Sequence, residues 1–187
     1  MTTAYDAPHD ELDDGKWNAT RIGLGLIIVA SIAMWAWIFL FAPRNNPDRF
    51  ESRNFSEAAE RICAPIQVEI NALPPGHRAA TPQDRAAQVA SGTILTQVMV
   101  DELRAAAEAV TDPDELTILD AWFEDWDAYI GDREAHFDKL IVAEADADDI
   151  SLVFTLSPRA AGGAYTRRID GLANVNDMAS CHVPLDV

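Results

Sequence analysis

The hydropathy pattern separates one long apolar run from a remainder of periodic, mixed segments. From Ile22 to Ala42 no charged residue occurs, and aliphatic and aromatic side chains fill every side of the helix such a run would form. As a helix it is roughly 32 Å long, close to the ~30 Å hydrocarbon core of a bilayer. Trp17 precedes it, and Trp35, Trp37, Phe39 and Phe41 crowd its far end, where amphipathic rings favour the membrane interface. Arg21 and Arg44 bracket it, and Pro43 ends it. A signal peptide has a shorter apolar region, about 7–15 residues, followed by a small-residue cleavage pattern. Leu40-Phe41-Ala42-Pro43 does not supply that pattern. The run predicts an uncleaved transmembrane helix over residues 22–42, with Gly23, Gly25, Ser31 and Ala33 small enough to support helix pairing.

Residues 43–55 hold two prolines and several asparagines without a helical stripe, which predicts a linker. A helix is expected from Ser56, with Ile62, Ile66 and Ile70 at fourfold spacing and Pro65 as a kink or restart. Leu73-Pro74-Pro75-Gly76 ends it. Thr81-Pro82 and Asp112-Pro113 each pair a capping residue with proline at the first helical position, so two further helices are expected there. Val89, Ile94, Leu95, Val98, Met99, Leu103 and Val110 mark the first, which Gly92 weakens by up to ~1 kcal/mol against alanine. Leu116, Leu119, Phe123, Trp126, Ile130, Phe137 and Ile141 mark the second, with Gly131 inside it. Residues 144–149 read as an acidic turn and 150–156 as a short strand. The segment from Ala164 to Ile169 is expected to pair back as a hairpin, and a short last helix through Ile169, Leu172 and Val175 precedes Cys181.

These elements predict a mainly α protein. An acidic cytoplasmic tail (1–21) leads to a single N-terminal transmembrane helix (22–42) and a linker (43–55). A small, mainly helical extracytoplasmic bundle (56–187) follows, with a β-hairpin or extended loop late in the chain. Across 187 residues the apolar share is 49 %, enough for a packed core. The formal net charge of −17 repels phosphate backbones and argues against nucleic-acid binding. Close positive charges are two before the run (Lys16, Arg21) and three after it (Arg44, Arg49, Arg53), a balance slightly favouring the C-terminal side inside. Long domains, however, translocate largely regardless of charge, and the cysteine pattern favours the outside.

The two cysteines, Cys63 and Cys181, bracket the helical region. They are too few for a cysteine-rich metal site, and a disulfide closing the domain is the expected arrangement in an oxidising compartment. Two unrelated buried thiols are the alternative. A nucleophilic thiol at Cys181 beside His182 is disfavoured, because sequence neighbours rarely share the required geometry. The stretch from Asp120 to Asp138 interleaves aromatic and acidic residues. Trp122, Trp126 and Tyr129 are candidates for a contact surface. Asp120, Glu124 and Asp127, three and four apart on one helix face, are weak candidates for a cation site. A solvated acidic face backed by aromatic core residues explains the same pattern. Phosphate-loop, zinc-protease and serine-hydrolase signatures are absent, so neither a catalytic residue nor a cofactor is expected.

Asp125-Trp126-Asp127-Ala128-Tyr129-Ile130, Asp132-Arg133-Glu134, Ile169-Asp170 and Asn176-Asp177-Met178 leading to Cys181 resemble a group of actinobacterial single-pass membrane proteins. Those share a short polar tail, one span and a mainly helical outer domain with a cysteine near each end. The resemblance implies a cell-membrane address and an outside domain, and transfers no activity. The expected partners are the lipid bilayer, through residues 22–42, and an envelope protein. The expected function is a non-catalytic interaction or structural module of the cell envelope, with a ligand or divalent-cation sensor built on the acidic aromatic helix as the alternative.

Overall fold

The computed structural model describes residues 19–41, 46–144, 152–158 and 164–186. Its helices are α1 (Ala19–Phe41), α2 (Asn54–Ala72), α3 (Pro82–Ala107), α4 (Pro113–Ile141) and α5 (Tyr165–Val175), with a 3-10 turn at Gly76–Arg78. The fold is mainly α. Two compact units are present, Met1–Asn45 and Asn46–Val187. In the first, α1 is 23 residues long with no buried residue. Among the described residues it is the one helix long and apolar enough to cross a membrane.

In the second unit α3 packs against both α2 and α4, and α5 packs on α4. The helix starts follow from local chemistry. Thr81 accepts a hydrogen bond from the Asp84 amide at 3.1 Å. Asp112 accepts from the amides of Asp114 and Glu115 at 2.9 and 3.1 Å. Each cap satisfies donors that have no partner inside the helix. Helix α5 ends in a Schellman motif. The Met178 amide donates to the Ala173 carbonyl at 2.8 Å, and Asp177 takes the left-handed conformation with φ 59°. That turn redirects the chain so that Cys181 meets Cys63 in a disulfide.

The core is organised by a run of edge-to-face rings. Phe50 meets Phe55, Phe55 meets Trp122, Trp122 meets Trp126, and Trp126 meets Tyr129, with centroids 5.7–6.4 Å apart. Phe154 continues the run between Tyr129 and His136. Such pairs add about 0.5–1.5 kcal/mol each beyond the area they bury. A smaller cluster of Ala86, Val89, Leu140 and Leu152 closes the other end.

Several expectations are corrected. Helix α2 starts at Asn54 rather than Ser56, which is buried within the first turn. It also runs unbroken through Pro65. Pro65 is on the exposed face, where the carbonyl that loses its donor meets water. The described part of the expected linker is docked, not free. Phe50 is buried, its amide donates to Asn176 at 2.8 Å, and the Glu51 amide donates to Glu115 at 2.7 Å. The hairpin is not formed, because Tyr165–Val175 is helical. Among the described residues 152–158 there is no strand. This segment is the extended loop, held by Leu152 and Phe154 against the core and by a Ser157 amide bond to Asp132 at 2.7 Å. Most of the acidic tail, the start of the linker, most of the acidic turn at 144–149 and the glycine turn at 161–163 lie outside the described residues.

Candidate functional site

The aromatic residues expected at a contact surface lie inside the bundle. Trp122, Trp126 and Tyr129 are 3 %, 0 % and 1 % exposed, so they cannot meet a partner. Burial follows from their spacing: positions three and four apart on α4 share the face turned to α3 and α5. The Trp122 indole donates to the Ile169 carbonyl at 3.2 Å, which fixes α5 on α4. Of the acidic residues between them, Asp125 is buried and paired with Arg168, whereas Glu124 and Asp127 point outward. Asp120, Glu124 and Asp127 are exposed, and Asp127 pairs with Arg104 at 2.7 Å. Among the described residues no group of three or more His, Cys, Asp or Glu converges as for a metal ion. The acidic aromatic helix is thus a solvated face over an aromatic core.

The polar residues that do converge hold the chain's last segment. Arg133 is fully buried and clasps Asp186 with two bonds of 2.7 Å. It also donates to Tyr129 Oη and Thr93 Oγ1, each at 3.0 Å. Tyr129 in turn donates to the Pro184 carbonyl at 3.0 Å. Burial pushes the Tyr129 hydroxyl up to about 12, so it stays a donor. Burial is the largest single influence and opposes the Arg133 charge, but the hydrogen bonds and charge interactions with Asp186 and Tyr129 together outweigh it and hold the guanidinium above its usual range. Gly92 makes this pair fit. A Cβ there would collide with the Asp186 carboxylate and the Arg133 guanidinium. The signals for this knot in the sequence are faint: a glycine inside α3, and one arginine on the apolar side of α4. A second pair, Arg168 Nε to Asp125 at 2.8 Å, ties α5 to α4.

Apolar side chains stay exposed at the end of α4 (Ile141, Val142), in the extended loop (Val153, Leu156), at Leu185, and on α2 and α3. Val68 and Ile94 are 68 % and 64 % exposed, and Val98 is also exposed. Between the helices runs an open groove of about 470 Å³, with Ile62, Pro65, Ile66 and Leu95 along it and Arg61 and Glu102 at its rim. Among the described residues Arg61 and Glu69 form no ion pair. The chain has no match among protein-family models, curated proteins or solved structures. Fold and surface define a mainly α domain, closed by a disulfide, in a chain whose described residues include one candidate membrane-spanning helix.

Proposed function

We propose that the protein is a single-pass membrane protein whose helical domain lies on the extracytoplasmic side of a bacterial cell envelope. There it acts as a non-catalytic interaction or structural module. The observation that carries this reading is the juxtaposition of a 23-residue apolar helix with no buried residue and a separate unit closed by a buried disulfide. An apolar helix of that length needs lipid around it. A buried disulfide is favoured in an oxidising compartment, which supports the outside placement. The resemblance to actinobacterial single-pass proteins supports the same address. With the aromatic residues inside the core, the apolar surface of α2 and α3 is the best-supported contact face. Cation sensing gains no support, because the three candidate carboxylates are exposed and Asp127 is engaged by Arg104. Crosslinking on intact cells, followed by extraction in mild detergents and native electrophoresis, tests the module. The expected result is an assembly larger than the monomer. Recovery of the monomer alone in every detergent would contradict it.

A further inference from the structure

The residues of α2 on either side of Pro65 form a series that is complementary to itself. Ile62 and Val68 lie three residues from Pro65, Arg61 and Glu69 four, and Ala58 and Ala72 seven. Spacings of three, four and seven keep these positions near one helix face. Arg61, Pro65, Val68, Glu69 and Ala72 are exposed, while Ala58 and Ile62 are half-buried. A two-fold axis through Pro65, perpendicular to the helix, sets each residue against its mirror position on an antiparallel neighbour. Arg61 then meets Glu69 of the second copy, Glu69 meets its Arg61, Ile62 meets Val68, and alanines meet at both ends. A two-fold interface must use one patch twice in this self-complementary way. A basic and an acidic residue equally spaced about a common centre satisfy that requirement, and neither forms an ion pair among the described residues. Ile94 and Val98 on α3 extend the apolar floor on the groove's other side.

We infer that the α2–α3 face binds a second copy of this chain, with α2 packing antiparallel to α2 about Pro65. The net charge of −17 opposes association of random faces, and Glu102 adds one more carboxylate at the groove's rim, so the two symmetric Arg61–Glu69 contacts are the attraction a pair of copies would draw on. The inference rests on the interaction-module reading and names its partner. Membrane anchorage assists it by raising the effective concentration of one copy beside another.

Two experiments on the full chain test it. A benzophenone amino acid placed at position 68 is photoactivated in intact cells. An adduct of twice the chain mass, mapped near residue 62 of the second copy, is expected. An adduct with a different protein would overturn self-pairing and leave the module reading standing. No protein adduct at all would count against both. In detergent solution, R61E and E69R are each expected to weaken dimerisation by at least about ten-fold, since two-fold symmetry doubles every change. The R61E/E69R double variant should restore it to within about three-fold. A dimer indifferent to both single changes, or a double variant as weak as either, would overturn the inference. All three positions are exposed or on the rim, so near-ultraviolet circular dichroism should be unchanged.

Discussion

Gly92 lies in the middle of α3, where alanine would ordinarily stabilise by about 0.8–1 kcal/mol. Here the sign reverses. The Cβ of Gly92→Ala would collide with the Arg133–Asp186 pair, and breaking a buried ion pair costs about 3–5 kcal/mol. Urea unfolding should show Gly92→Ala and Asp186→Ala destabilised by comparable amounts; a stabilised Gly92→Ala would remove the glycine from this role. His136 supplies a pH test. Burial, followed by the charges of Arg85, Lys139 and Arg133, lowers its pKa from 6.5 to about 4. The unfolded chain takes up the proton near pH 6.5 and the folded chain only near 4. Its contribution is therefore complete above pH 6.5 and is lost as pH falls toward 4, by about 2 kcal/mol between pH 7.5 and 5. His136→Gln should flatten this part of the stability profile, and an unchanged profile would contradict it. At this scale the sequence is hardest to read. Trp122 and Trp126 look like surface features because acidic residues flank them, yet their helical positions face the core, and one flanking acid, Asp125, is buried with them. Arg133 and Asp186 are 53 residues apart, so nothing local connects them.

The helices are the most legible level, because their signals are local. The Thr-Pro and Asp-Pro pairs mark the starts of α3 and α4 through amide capping that needs no tertiary contact. Asp112→Ala should cost about 1 kcal/mol, read as a lowered midpoint in thermal unfolding, and no change would mean that water caps α4 equally well. The apolar stripe of α4 likewise predicts one helix through Gly131, where added bulk would meet open space. Legibility fails where tertiary contacts override local propensity. Residues 152–158 are rich in β-forming side chains but find no strand partner among the described residues, since Tyr165–Val175 is claimed by α4 as a helix. The linker composition around Phe50 conceals an anchor, because a single aromatic ring supplies the burial that holds it.

At the scale of the whole molecule, the disulfide joins residues 118 positions apart. Closing a loop of that length stabilises by about 4–5 kcal/mol in the chain-entropy account, a large part of the ~5–15 kcal/mol typical of a folded domain. Reduction, or Cys63→Ser with Cys181→Ser, should lower unfolding stability on that order, and an unchanged denaturant midpoint would contradict it. The pairing is legible from two cysteines that bracket the helices, as is the apolar run of α1. The face available to a partner is not, because it depends on which apolar residues the bundle leaves uncovered. The side of the membrane on which the domain lies is the central claim, and the lysines offer a direct test. The chain holds two, Lys16 before the apolar helix and Lys139 in the domain, where it is exposed. A membrane-impermeant amine reagent applied to intact cells should modify Lys139 and spare Lys16, with Lys16 becoming reactive once the cells are opened. Modification of Lys16 with Lys139 protected, or of neither until lysis, would contradict an extracytoplasmic domain.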